Sequence, residues 1–225
     1  MPRATSSFPL PVSPSISTGT SEEPMRRIMP TRFRIPSASL MMRETSGGPD
    51  VMLVDPNPLS SDHTTSVTLV SVSQDGKLLA YGLRKGGEDE VEVKLFDVDA
   101  RREVPGGMPK GRYYGVSFDK AKRGYYYARW SPEGPRVRYH RLGDDPARDA
   151  LVFGEGLGAA TIPTPRVSPN GRWLLVTVSV GSSGDDQRLY LKDLERNGAI
   201  VTVADTLRAS LRADFAGDQL VIETN

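Results

Sequence analysis

The sequence predicts an all-β fold, an incomplete β-propeller of about four blades of four-stranded antiparallel sheets preceded by a disordered segment. Three observations predict it. Residues 73–81, 117–127 and 168–176 restate one pattern, a serine and a polar turn followed by an apolar run, with the serines 44 and 51 residues apart. The turns Asp75-Gly76 and Asn170-Gly171 suit a reversal between antiparallel strands, because aspartate, asparagine and glycine tolerate a left-handed backbone. The runs that follow, Lys77 to Leu83 and Trp173 to Val180, are almost continuously apolar or β-branched, which fits strands buried on both faces.

The elements follow in order. Seven of the 18 prolines fall within the first 36 residues, among serines and threonines without apolar periodicity. Residues 1–42 are therefore read as disordered, since they cannot bury enough surface to offset the entropy of ordering. Prolines and serines interrupt Phe8 to Ile16, so no secretory apolar core forms there, and Arg26, Arg27, Arg32 and Arg34 read as a solvated basic tail. Residues 43–225 form the propeller region. Val51 to Val54 ends one blade. The next contains Thr68 to Val72, Leu78 to Leu83, Val91 to Val98 and an edge at Arg102 to Val104. A second full blade spans Tyr113 to Phe118, Tyr125 to Trp130, Arg136 to Leu142 and Ala150 to Phe153. A third spans Pro165 to Ser168, Trp173 to Ser179, Arg188 to Leu194 and Ile200 to Val203, and a further blade begins with Leu211 to Phe215 and Leu220 to Glu223. No convincing closing strand is visible in residues 1–42, so the sequence reads as an arc of a larger ring.

Composition narrows the function. A net charge of +1 gives no basic field for nucleic acid or an anionic membrane, and the longest apolar stretch falls short of a membrane-spanning helix. The sequence lacks cysteine, which excludes disulfides, thiol nucleophiles and cysteine metal sites. That composition suits the cytoplasm and is compatible with the periplasm. With two histidines, His63 and His140, no transition-metal site is expected, and no cofactor-binding loop is recognisable. His63 lies in a polar loop and reads as solvated, whereas His140 lies in a strand. The acidic groups Glu88-Asp89-Glu90, Asp144-Asp145 and Asp185-Asp186 sit beside glycines or prolines, where turn chemistry explains them better than paired-carboxylate catalysis. A serine hydrolase elbow, Gly-x-Ser-x-Gly, is not found: Gly115-Val116-Ser117 continues with Phe118-Asp119, and Gly181-Ser182-Ser183-Gly184 has the wrong spacing. No catalytic residue is therefore assigned.

Several segments resemble the propeller domain of prolyl oligopeptidases: residues 72–82 with Gly86-Gly87-Glu88-Asp89, residues 137–143, Asp149 to Phe153, residues 167–178 with Arg188-Leu189-Tyr190, and Leu53-Val54-Asp55-Pro56-Asn57. They occur in the family's order and spacing over about residues 43–225. The middle repeat departs from the pattern at Asp119-Lys120-Ala121-Lys122-Arg123-Gly124. The resemblance implies a seven-bladed propeller capping an α/β-hydrolase domain that cleaves short peptides after proline with a Ser-Asp-His triad. This sequence is similar to the second through part of the fifth blade, without the catalytic domain. By family position Tyr126 would face the substrate cavity and Ser182 could line it, with packing between blades as the competing reading of Tyr126 and a hairpin turn that of Ser182. His140 is a structural position in that pattern. Short proline-containing peptides are then expected as partners when a catalytic domain is supplied. The expected role is substrate gating by a chain that is inactive alone. The alternative is a stand-alone interaction scaffold that associates with itself or a partner through its open blade edges.

Overall fold

In the computed structural model, residues 39–181, 186–205 and 211–224 are described, and they form sixteen strands in five antiparallel sheets. Sheet 1 pairs β1 (Leu40–Met42) with β2 (Val51–Val54). Sheet 2 contains β3 (Ser66–Val72), β4 (Leu78–Arg84), β5 (Val91–Asp97) and β6 (Arg102–Gly111). Sheet 3 contains β7 (Gly115–Phe118), β8 (Gly124–Arg129), β9 (Arg136–Arg141) and β10 (Ala150–Phe153). Sheet 4 contains β11 (Thr161–Val167), β12 (Trp173–Val180), β13 (Gln187–Asp193) and β14 (Val201–Ala204). Sheet 5 pairs β15 (Leu211–Ala216) with β16 (Gln219–Thr224). In the three complete sheets, chain order is also spatial order. The expected all-β, unclosed propeller architecture is what the structure shows. No helix among the described residues is long and apolar enough to cross a membrane.

Burial of both faces of the second strand in each full sheet generates this arrangement. Leu78 and Ala80 of β4 join Val93 and Leu95 in a core with Val116, Phe118, Tyr125 and Tyr127 of sheet 3. Their sequence neighbours Leu79, Tyr81 and Leu83 point the other way, into a core with Val54, Leu40 and Met42 of sheet 1. Strand β12 repeats the device: Leu174, Val176 and Val178 pack with Ala128 and Val137 of sheet 3, and Leu175 packs with Leu211 of sheet 5. The side chains of a strand alternate between faces, so an unbroken apolar run means two apolar neighbours. Full burial of each such side chain contributes about 1.5–3 kcal/mol.

The repeated turns are closed by side chains. In the first, Ser73 Oγ donates to Asp75 Oδ1 (2.7 Å) and accepts from Leu78 N (2.9 Å), while Asp75 Oδ1 accepts from Lys77 N (3.2 Å). In the third, Ser168 Oγ donates to Asn170 Oδ1 (2.6 Å) and accepts from Trp173 N (2.9 Å), and Asn170 Oδ1 accepts from Arg172 N (2.9 Å). The middle turn shifts the expected register. Its first residue is Asp119, not Ser117, because Asp119 N donates to Gly124 O (3.0 Å) as Ser73 N donates to Leu78 O (2.8 Å). The repeat intervals from Ser73 to Asp119 and from Asp119 to Ser168 are thus 46 and 49 residues. Asp119 Oδ1 accepts directly from Arg123 N (3.2 Å), and Lys122 takes the left-handed position at φ 54°, where Gly76 and Gly171 stand at 72° and 80°. Successive turns also touch. Lys122 pairs with Asp75, and a Cβ at Gly171 would stand 2.7 Å from Lys120 Cβ.

Strands β1, β6 and β11 show where the sequence reading and the structure part. Strand β1 precedes the expected boundary at residue 43, being too short to show a period; residues 1–38 lie outside the described residues. Strand β6 continues past Val104 to Gly111 through Pro105, Gly106, Gly107 and Pro109, with register shifts against β5. As an outermost strand it tolerates prolines, and a Cβ at Gly107 would lie 2.3 Å from Val93 O, a position only glycine can occupy. Strand β11 begins at Thr161 despite Pro163 and Pro165. Both prolines are in phase with Val167, whose N–H turns away from β12 and donates to Ser117 Oγ of β7 (2.9 Å), so neither removes a bond of the β11–β12 ladder.

Two outcomes follow from the turns. Ser168 is fully buried, so Ser168→Ala strands the Trp173 N–H, and the urea unfolding midpoint should fall by the equivalent of about 1–3 kcal/mol with an unchanged m-value. The Lys122 ammonium, and then the Ser73 hydroxyl, hold the Asp75 carboxyl well below the usual carboxylate range. With the folded value below the unfolded value of about 3.9, this contribution is complete above that pH and is lost as pH falls through the folded value. Acid titration of stability should show a shallower fall below about pH 4 in Asp75→Asn than in the parent; an identical acid limb would refute the linkage.

Candidate functional site

The first strands of sheets 2 to 5 together wall a trough of about 660 Å3. Its lining comes from residues 70–74, 113–118, 162 and 164–167 together with Pro169, Asp214 and Phe215. The close approach of these strands is written into Gly115, where a Cβ would lie 3.0 Å from Pro165 Cδ and 3.4 Å from Thr164 Cα. Ser117 fastens the same two strands through its bond to Val167 N. An ion pair between Arg166 of β11 and Asp214 of β15 spans sheets 4 and 5, and the guanidinium holds the Asp214 carboxyl below its ordinary range. Ser71 and Thr164 stand on the lining beside Val70 and Ile162, while the Ser73 and Ser117 hydroxyls are engaged within their turn and with Val167 N. Such walls can contact an extended polar chain at many points.

Neither histidine lines this trough. His63 lies on the exposed β2–β3 connection. His140 of β9 is buried, its side chain 1% exposed, and its Nδ1 lies 2.9 Å from Oδ1 of Asp149, itself 2% exposed. The ring of Tyr125 is 5.2 Å from that of His140. This pair joins β9 to the residue before β10.

The three consecutive tyrosines of β8 divide between its faces. Tyr125 and Tyr127 enter the core shared with sheet 2, and Tyr125 Oη donates to Gly106 O (2.6 Å). Burial pushes both phenols up, with Asp149 the next cause. Tyr126 points to the opposite face, packs against the core shared with sheet 4, and stacks obliquely on Tyr139 with ring centroids 4.9 Å apart. Burial, then the Asp119 carboxylate, raises its phenol too. It is not among the residues lining the trough. Ser182 lies outside the described residues, although its neighbour Gly181 is described and donates its N–H to Ala160 O (2.8 Å). Two of the acidic residues serve a turn and an ion pair: Asp145 Oδ1 accepts from Ala147 N (3.0 Å), and Glu88 pairs with Lys110 (2.5 Å), while Asp185 lies outside the described residues.

Sequence reasoning did not single out Arg166, Asp214 or Tyr113. The charged pair is made between strands of different sheets, and no local pattern reports it. Tyr113 was expected to begin a strand, but its φ of 54° delays β7 to Gly115.

The profile described as "Prolyl oligopeptidase, N-terminal beta-propeller domain" matches residues 35–225. A prolyl endopeptidase of Elizabethkingia meningoseptica is 25% identical over 199 residues, covering 83% of this chain and 28% of the relative. A prolyl oligopeptidase of Omphalotus olearius is 26% identical over 188 residues, covering 74% and 25%. The chain thus spans about a quarter of the length of these curated relatives. Among solved structures, a prolyl endopeptidase shares 24% identity at a TM-score of 0.71, covering 83% of this chain and 29% of that one. Prolyl oligopeptidase B of Galerina marginata, bound to a 35-residue hydrolysis and macrocyclization substrate, shares 20% identity at a TM-score of 0.63, covering 78% and 27%.

The buried pair at His140 generates one outcome. Asp149→Ala leaves the imidazole nitrogen without its partner and should cost about 1–3 kcal/mol of stability in urea unfolding; a loss below about 0.5 kcal/mol would show that β10 does not depend on the pair.

Proposed function

The chain belongs to the prolyl oligopeptidase N-terminal β-propeller family, and on that premise we propose that it is the access-restricting propeller portion of a prolyl-oligopeptidase-type serine endopeptidase, inactive without a catalytic domain. The trough carries this reading. Its walls are the first strands of four successive sheets, those of sheets 3, 4 and 5 fastened in turn by the Ser117 to Val167 bond and the Arg166–Asp214 pair, so its bore is set by sheet packing rather than by loops. A bore fixed by packed cores discriminates by size, because interiors resist dilation. A short extended peptide fits between such walls and a folded protein does not. Inactivity alone is supported by the sequence, which holds no Gly-x-Ser-x-Gly elbow, and by the buried pairing of His140, which leaves it no access to a substrate.

Purified chain incubated with a chromogenic peptide carrying proline before the scissile bond should give no turnover. Turnover abolished by a serine-directed inhibitor would overturn the inactive reading. For gating, residues 43–225 can replace the matching segment of the Elizabethkingia meningoseptica enzyme. The chimera should cleave the short peptide and leave an unstructured protein of about 100 residues intact; equal cleavage of both would overturn the gating role.

A further inference from the structure

A cavity of about 390 Å3 lies between sheets 1 and 2 and shares no lining residue with the trough. Its floor is apolar. Leu53 and Val54 of β2 pack with Leu83 of β4 and Phe96 of β5, and Leu59 joins the lining from the β2–β3 connection with 48% of its surface exposed.

The polar groups of the lining fall into two kinds. Lys94, Glu92, Glu103 and Tyr81 satisfy one another: the ammonium lies 3.0 Å from Glu92 Oε1 and 3.4 Å from Glu103 Oε1, and Tyr81 Oη donates to Glu103 Oε2 (3.1 Å). Asp55, Lys85 and Thr65 are left over. Asp55 Oδ1 accepts from Asn57 N (2.9 Å) and Asn57 Nδ2 (2.7 Å), which fixes the carboxylate, yet no cation among the described residues pairs with it. Lys85 is exposed and makes no ion pair among the described residues. Thr65 is 1% exposed; its N–H donates to Ser60 Oγ (3.2 Å), and its Oγ1 finds no hydrogen-bond partner among the described residues. A buried hydroxyl without a partner is destabilising, and one beside a cavity is explained where a ligand supplies the missing bond.

We propose that this cavity binds a small zwitterion with an apolar side chain, of the size of a free aliphatic α-amino acid. The ligand ammonium pairs with Asp55, its carboxylate with Lys85, and its side chain packs over Leu59, Leu83 and Phe96. An amine alone leaves Lys85 unmatched, and a carboxylic acid alone leaves Asp55 unmatched. A zwitterion is strongly hydrated, so it enters an apolar cavity only where both of its charges are met. The volume stands at the low end of the ~300–1,000 Å3 range of ligand sites, which restricts the occupant to a molecule of this size. The site goes beyond the gating role and does not depend on it.

Calorimetric titration of the full-length chain with L-leucine should show saturable binding, and leucine should raise the urea unfolding midpoint with increasing concentration. Isoamylamine, which lacks the carboxylate, and isocaproate, which lacks the ammonium, should each bind about tenfold more weakly or worse. Asp55→Asn keeps an acceptor for the Asn57 N–H groups and removes the charge, while Lys85→Gln alters an exposed side chain. Each should leave the midpoint without ligand unchanged and weaken leucine binding about tenfold. Thr65→Val removes the stranded hydroxyl at constant shape, so it should raise the midpoint without ligand and weaken leucine binding. Absence of saturable leucine binding, equal binding of the amine or the acid, or binding indifferent to Asp55→Asn and Lys85→Gln overturns the proposal.

Discussion

The structure depends on the burial of strands β4 and β12 from both sides. A sheet with one apolar face can close its core against a single neighbour, but here the residues of one strand feed two cores in alternation, as Leu78 and Leu79 do. No complete sheet is then stable apart from the ones beside it, and the spacing between sheets is set by side-chain volume. The trough inherits its walls from this spacing. Gly115 against Pro165 marks how closely adjacent first strands are drawn together once those cores are filled.

The turns add a second, polar layer of order on the opposite rim from Tyr113. Each is closed by side-chain oxygens that accept from the backbone, and successive turns touch, Lys122 against Asp75 and Lys120 against Gly171. The middle turn shows that the chemistry can be met in two ways. A serine with an Asx residue does the work in two repeats, and a lone aspartate does it in the third, with a lysine accepting the left-handed backbone. The same lysine supplies the contact to the preceding turn, which accounts for its presence where glycine would be easier to accommodate.

Most of the fold was legible in the sequence because apolar runs of seven or eight residues flanked by Asp-Gly or Asn-Gly have few other solutions. The limits of Leu78–Arg84 and Trp173–Val180 differ from the expected ones by a residue at most. The misreadings have two causes. Some depend on how strands lie against other sheets: Pro163 and Pro165 look like strand breakers until β11 is seen to lack a partner on one side, and Ser117 looks like a turn serine until it is found bonded to Val167. Asp119 and Tyr113 were hidden for a local reason, since backbone sign at Lys122 and Tyr113 leaves no mark on composition. The candidate site was less legible than the fold, because a trough is a relation between strands from different sheets, which no single segment records.

The inner edge of β11 has an unusual chemical character. At positions 163, 165 and 167 the outward-facing N–H groups are two prolines, which have none, and one amide already engaged by Ser117. An extended chain lying along this wall meets carbonyl acceptors without matching donors, so it cannot complete an antiparallel ladder and become another strand of the sheet. For an exposed strand edge this is protection against fouling: the wall resists the backbone pairing that drives strand addition and aggregation.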